Sequence, residues 1–143
     1  MASIGNELRR VANELIARGT PFAHGGGGIE GPSRGVVDGG SPADRAGDYL
    51  KEGFDAGSLA QYVIHKVFGV KIPRTTFEQR RFGTIVAGPD AGDLVYPAAY
   101  GGGYATVFLG DGTVLAATRS GELIRTEPFT PVPTNEYVRV VNR

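Results

Sequence analysis

The spacing of apolar residues changes from a helical period to a strand period at Gly83, which limits the folds open to this chain. Upstream of Gly83, the 3.6-residue period predicts helices over 5–18 and 56–68. Downstream, β-rich runs with a two-residue period predict strands at 93–96, 104–109, 113–117, 122–126 and 137–141. Helices followed by antiparallel strands are typical of the α+β class. We therefore predict helices packed on an antiparallel sheet of about five to six strands.

Capping residues predict where the later helices begin and end. Asp55 precedes the helix over 56–68 and can accept a hydrogen bond from an amide of its first turn. Gly69 follows its last residue, where glycine commonly ends a helix. The pattern Thr75-Thr76-Phe77-Glu78 is a capping box and predicts a short third helix to about Arg81.

The length of 143 residues is typical of one domain, so we predict a single domain over 1–143. Its predicted parts are an N-terminal helix within 1–19, a glycine-rich loop at 25–53, central helices within 54–82 and the sheet over 83–143. Ten of the 29 residues at 25–53 are glycine, and no apolar period is present there. Long loops of this kind are often lids or binding loops, and plain flexibility is as common.

Composition excludes several classes of function. Fifteen Lys and Arg balance fifteen Asp and Glu, so the chain lacks the basic field that nucleic-acid binding needs. No apolar run approaches the roughly 18 residues that span a membrane. The chain has no cysteine and two histidines, which excludes disulfides, thiolate metal sites and a cysteine nucleophile. We therefore expect no metal and no cofactor. The first residues also lack the pattern of a signal peptide, which leaves a cytosolic protein and a trimmed secreted one both open.

Two catalytic motifs fail on inspection. His24-Gly25-Gly26-Gly27 matches the oxyanion loop of esterases, but the sequence has no Gly-x-Ser-x-Gly nucleophile motif. Ser58 and His65 share one side of a helix, but seven residues separate them by about 10 Å, too far for a nucleophile and its base. The sequence also lacks a Walker loop and a dinucleotide-binding glycine motif.

Five segments, in order, resemble the signature segments of the NlpC/P60 family, papain-like cysteine peptidases that cleave bacterial cell-wall peptides. The central segment, Gly53 to Leu59, resembles the family's Asp-Cys-Ser-Gly-Leu nucleophile motif. The others resemble its Pro-Tyr-x-Trp-Gly-Gly, Leu-Pro-Arg-Thr-Ser-x-x-Gln, Pro-Gly-Asp-Leu-Val-Phe and His-Val-x-Ile-Tyr-Leu-Gly segments, and they lie at 20–26, 71–79, 91–96 and 104–112. The resemblance implies an α+β, papain-like fold.

The resemblance also implies that each catalytic position has been replaced. In the family, a thiol at a helix N-terminus is paired with a histidine that a third polar residue orients. Here Ala56 stands at the thiol position, Tyr104 at the histidine position and Ala116 at the orienting position. Phe22 and His24 replace the tyrosine and tryptophan of the first segment. With a reference pKa near 10, Tyr104 would be neutral at pH 7 and a poor proton acceptor.

A binding groove would remain if the fold is retained. Free backbone amides at Ala56, Gly57 and Ser58 would suit a peptide carboxylate. We expect Asp55 to act first as a helix cap and second as a ligand contact. Tyr104 would either pack over a bound peptide or fill the vacant thiol position. The arginines Arg74 and Arg119 would pair with peptide carboxylates or face solvent.

The resemblance therefore implies a degenerate, non-catalytic NlpC/P60 domain, similar to the family's inactive members, that binds peptidoglycan, a muropeptide or a cell-wall hydrolase. It implies a secreted or cell-wall-associated protein, and we expect a monomer. One alternative is an active D,L-endopeptidase whose cysteine has been changed to Ala56 by engineering. A second alternative is a regulatory module that binds a protein partner through its glycine-rich loop.

Overall fold

The computed structural model describes residues 3–142 and has the α+β architecture that the sequence predicts. The helices are α1 (Ile4–Ala17), α2 (Pro42–Arg45), α3 (Ala56–Phe68) and α4 (Thr76–Phe82). The strands are β1 (Ser33–Arg34), β2 (Glu52–Gly53), β3 (Thr84–Val86), β4 (Leu94–Tyr96), β5 (Thr106–Phe108), β6 (Thr113–Ala116), β7 (Arg125–Pro128) and β8 (Glu136–Arg139). Among the described residues, no helix has the length and apolar character needed to cross a bilayer.

The predicted bounds of α3 are confirmed residue for residue, because both of its ends are set by local hydrogen bonds. The Asp55 side chain accepts a hydrogen bond from the Ser58 amide, and the Ser58 hydroxyl accepts one from the Asp55 amide. Gly69 ends the helix in the left-handed conformation, with φ of 72°. At α4, the Thr75 side chain caps the first turn as predicted. The Glu78 carboxylate accepts a hydrogen bond from the Thr75 hydroxyl, whereas in a capping box it would accept from the backbone amide of the cap residue.

Strands β3 to β8 form one antiparallel sheet in the order β3-β8-β4-β5-β6-β7. The predicted strand at 122–126 is wrong in its bounds, because the ladder with β6 begins only at Arg125 and continues to Pro128. Proline is tolerated there because β7 lies at the edge of the sheet. The sequence analysis also missed β3, a three-residue strand whose partner β8 lies about fifty residues later.

Residues 25–53 are not structureless, which corrects the loop prediction. Strands β1 and β2 pair in this segment, and α2 and a 3₁₀ turn over Asp48–Leu50 lie between them. The Asp48 carboxylate is fully buried and accepts hydrogen bonds from the His24 amide at 3.0 Å and the Ser120 hydroxyl at 2.6 Å. This buried carboxylate therefore fastens the segment to the chain on both sides of it.

The hydrophobic core lies between the helices α1 and α3 and the sheet. Its largest fully buried side chains include Leu8 and Leu15 of α1, Leu59 and Ile64 of α3, and Leu115 of β6. Burying each side chain of this size stabilises the fold by about 1.5–3 kcal/mol. The core therefore fixes the N-terminal end of α3 relative to the sheet.

Replacing Asp48 with alanine should lower the free energy of unfolding by about 2–4 kcal/mol, because the His24 amide and the Ser120 hydroxyl lose their buried acceptor. Urea denaturation measures this as a lower midpoint with an unchanged slope. The matched control is Asp111→Ala at an exposed turn, where we expect a loss below about 1 kcal/mol. Equal midpoints for the two variants would contradict the anchoring role of Asp48.

Candidate binding groove

An open groove of about 280 Å³ lies at the N-terminal end of α3. Its floor and sides come from five parts of the chain that are distant in sequence. These are Phe22 and His24, the start of α3 at 55–57, the segment 74–77, the turn at 103–104, and the residues at 117–118. The groove is thus assembled by the tertiary fold and opens directly beside Ala56.

Asp55 and Arg74 form a bidentate ion pair at the edge of the groove. The Arg74 guanidinium donates to both carboxylate oxygens of Asp55, at 2.9 and 3.1 Å, and to the backbone carbonyl of Gly26 at 3.0 Å. The Asp55 carboxylate also accepts from the amides of Ser58 and Gly25. All of these partners lie within the chain, so the charges of Asp55 and Arg74 already compensate each other.

Ser58 is fully buried and serves the scaffold. Its hydroxyl donates to the Gly26 carbonyl at 2.6 Å and accepts from the Asp55 amide at 3.1 Å. The bond to Gly26 holds the glycine-rich turn against the first turn of α3, and the bond from Asp55 completes the helix cap. Ser58 does not line the groove, and its backbone amide, which the sequence analysis expected to be free for a ligand, donates to the Asp55 carboxylate at 3.0 Å.

The amides of Ala56 and Gly57 differ from that of Ser58 because no described residue accepts a hydrogen bond from them. Both residues line the groove. The first amides of a helix carry partial positive charge, which favours an anionic or carbonyl oxygen. Gly57 is required by close packing, since a Cβ atom there would lie 2.4 Å from the carbonyl oxygen of Arg74.

Tyr104 lies at the side of the groove and not in a strand, because β5 begins two residues later at Thr106. Its hydroxyl is 3.4 Å from the Thr118 hydroxyl, and its ring packs on Tyr100 with centroids 5.0 Å apart. Burial raises the pKa of Tyr104 above its ordinary value, against a smaller opposite effect of the Thr118 hydroxyl. Tyr104 is therefore a neutral hydrogen-bond donor at pH 7.

Two further predicted site residues do not line the groove. Ala116 is fully buried in β6, and its successors Ala117 and Thr118 line the groove instead. Arg119 is exposed, and its guanidinium pairs with Glu122 at 2.9 Å.

The segment 25–53 flanks the groove and contributes none of its described lining residues. It contacts groove residues through the Gly25 amide, which donates to Asp55, and the Gly26 carbonyl, which accepts from Arg74. Its Asp38 carboxylate also lies 2.9 Å from Nε2 of His24. The groove is therefore open to a ligand beside this segment. Among residues 3–142, no three His, Asp or Glu side chains come together as metal ligands would.

Sequence reasoning missed Phe77 and Thr118, which both line the groove. Phe77 follows the helix cap at Thr75, and its aromatic ring is 55% exposed. A large aromatic residue on the first turn of a short helix is a sequence signal for such a surface. Thr118 carries no comparable signal, because its place beside Tyr104 depends on the pairing of β5 with β6.

The NlpC/P60 family model matches residues 19–142. The chain is 33% identical over 133 residues to the peptidoglycan endopeptidase RipB of Mycobacterium tuberculosis, covering 92% of this chain and 50% of RipB. It is also 33% identical over 105 residues to the murein DD-endopeptidase and LD-carboxypeptidase MepS of Escherichia coli, covering 69% of this chain and 56% of MepS. The chain thus spans about half the length of these relatives.

Among solved structures, RipD of Mycobacterium tuberculosis superimposes with a TM-score of 0.74 and 26% identity, over 99% of this chain and 100% of that one. RipD is described as a non-catalytic NlpC/p60 domain protein adapted to peptidoglycan binding. The structure of RipB matches with a TM-score of 0.70 and 29% identity, over 96% of this chain and 68% of that one. Catalytic and non-catalytic proteins therefore share this fold.

The raised pKa of Tyr104 predicts a pH-dependent contribution to stability. In the unfolded chain the phenol ionises near its ordinary pKa of 10.0, while burial holds it neutral in the folded chain. The stability it contributes is complete below pH 10.0 and is lost as the pH rises through the higher folded value. The difference in unfolding free energy between wild type and Tyr104→Phe, measured in urea, should stay constant below pH 10.0 and fall above it. A difference that stays constant up to pH 12 would contradict this role of burial. The control variant is Tyr49→Phe, at an exposed tyrosine.

Proposed function

This chain belongs to the NlpC/P60 family, and from that membership we propose that it is a non-catalytic member that binds peptidoglycan in the groove beside Ala56. The observation that carries the proposal is an open groove with a methyl group at the first position of α3. A groove that has kept its space but holds no nucleophile at that position suits binding without cleavage. RipD, which matches over the whole chain, supports this because it is described in those terms.

The chemistry of the groove supports the same conclusion. The full sequence contains no cysteine, so it holds no thiolate for nucleophilic attack. Tyr104 stands at the position of the family's base and is neutral at pH 7, and burial moves its pKa further from the physiological range. The groove therefore offers a hydrogen-bond donor where a peptidase needs a proton acceptor.

The groove has suitable groups for a peptide. The amides of Ala56 and Gly57 would donate to a carboxylate or carbonyl oxygen, with the positive end of the α3 dipole behind them. The Tyr104 hydroxyl would donate a further hydrogen bond, and the rings of Phe22 and Phe77 would cover apolar parts of the peptide. Because Arg74 is paired with Asp55, its part is to hold the groove in shape and not to bind a ligand carboxylate.

A protein that binds this polymer works where the polymer is, so we propose a secreted or cell-wall-associated location. RipB and MepS, which are named as endopeptidases, favour the alternative of an active enzyme in which Ala56 replaces a cysteine. Tyr104 weighs against that alternative, because a single exchange at Ala56 does not account for the loss of the base as well.

Restoring a thiol by Ala56→Cys should not produce peptidase activity, because Tyr104 stands where the resemblance places the base and its neutral phenol is a poor proton acceptor. Release of peptide from purified muropeptides, followed by chromatography, measures this. Reaction of the variant with a thiol reagent is the control that the new side chain is accessible. Turnover by the single variant would show that Tyr104 does not disable the site.

Filling the groove should weaken binding to peptidoglycan. Thr118→Trp places an indole in the groove. We expect the affinity of this variant for insoluble peptidoglycan, measured by sedimentation, to fall by at least about tenfold, or 1.4 kcal/mol. The matched control is Thr126→Trp, an exposed position of β7 outside the groove, which should sediment like wild type. If wild-type protein stays in the supernatant across a range of salt concentrations, the proposed function is wrong.

A further inference from the structure

Three aromatic side chains form a rim on one side of the groove. Phe77 and Tyr100 are 55% and 58% exposed, and Tyr100 packs against Tyr104 with ring centroids 5.0 Å apart. We call Phe77, Tyr100 and Tyr104 the aromatic rim. Large aromatic side chains that remain this exposed beside a groove are typical of a binding surface.

The glycine turn at 101–103 leaves this rim uncovered. A Cβ atom on Gly103 would lie 3.3 Å from the Phe77 ring and 3.3 Å from the Tyr100 carbonyl oxygen. Gly102 has φ of 92° and is covered by Phe77 and by the aliphatic part of Arg80. A larger side chain at Gly102 or Gly103 would crowd the Phe77 ring, so the two glycines keep that ring accessible.

A second, polar cleft of about 310 Å³ begins on the other side of the same turn. It is lined by the ion pair of Arg80 and Glu136, by Thr134 and by the backbone of Gly101 and Gly102. The Arg80 guanidinium donates to both carboxylate oxygens of Glu136, one of them at 3.0 Å. Both side chains retain part of their surface in solvent, so their remaining donors and acceptors are available.

The two features together match the chemistry of a sugar ring. A pyranose presents C–H groups on its faces, which pack on aromatic rings, and hydroxyl and acetamido groups around its edge. Those edge groups both donate and accept, as do a guanidinium and a carboxylate side by side. Exposed aromatic rings next to an ion pair therefore suit a sugar better than they suit a charged peptide.

We infer that the aromatic rim and the polar cleft form a glycan subsite that binds a β-1,4-linked amino-sugar chain, continuous with the peptide groove. This inference rests on the proposed function for the identity of the polymer, whose stem peptides are attached to such a chain. Phe77 and Tyr104 line the groove, while Arg80 and Glu136 line the cleft. One ligand thus occupies both sites, with its peptide in the groove and its sugar on the aromatic rim and in the polar cleft.

Titration calorimetry on the full chain with three probes tests this inference. The probes are a stem tripeptide without sugar, the same tripeptide carried on its amino-sugar disaccharide, and a peptide-free tetramer of N-acetylglucosamine. We expect the disaccharide to tighten tripeptide binding by about tenfold, and the tetramer to bind while maltotetraose does not. Equal affinity for the tripeptide with and without sugar would overturn the inference.

Variants separate this subsite from the groove. Tyr100→Ala should remove the about tenfold gain that the sugar provides and leave binding of the sugar-free tripeptide within about twofold of wild type. Glu136→Gln should also lower the affinity for the tetramer of N-acetylglucosamine. The matched control is Tyr49→Ala, at an exposed tyrosine outside the groove and the cleft. This variant should change neither the affinity for the tripeptide nor the gain from the sugar. If Tyr100→Ala lowers both affinities equally, the rim is not a separate subsite and the inference is wrong.

The proposed function can fail independently of the inference. Binding of the tetramer without any binding of the tripeptide would sustain the glycan subsite and refute the peptide groove. Binding of the tripeptide without the tetramer and without a sugar gain would sustain the groove and refute the subsite.

Discussion

The carboxylate of Asp55 connects the parts of the chain that meet at the groove. It caps α3 through the Ser58 amide, accepts from the Gly25 amide and forms a bidentate ion pair with Arg74. A half-buried carboxylate is stable only when such donors surround it, and each donor is thereby held in place. The open end of α3 and the side of the groove formed by Arg74 depend on this one set of bonds.

The same set of bonds decides which groups remain for a ligand. Arg74 is a conspicuous cation in the sequence, yet its charge is used within the chain. The positive character of the groove comes instead from the backbone amides of Ala56 and Gly57 at the helix N-terminus. In the proposed function, with Ala56 and a neutral Tyr104 beside them, this field would orient a bound oxygen atom and would activate no nucleophile.

Local signals predicted the parts of the fold that local bonds determine. The helix α3 was predicted residue for residue because Asp55 and Gly69 set its two ends within a few residues of sequence. The predictions were wrong where the deciding partner is distant. The segment 25–53 is ordered through Asp48, which bonds to His24 and Ser120, and β3 exists because β8 pairs with it. A local sequence pattern shows neither the partners of Asp48 nor the pairing of β3 with β8.

The sequence by itself determined the fold class and the family, because these follow from residue types and their order. Only the tertiary structure decided that the groove is open, that Asp55 neutralises Arg74, and that Thr118 rather than Ala116 lies beside Tyr104. The physical reason is distance along the chain. Groups that are near in space and far apart in sequence meet only after the sheet has paired and the core has formed around α3.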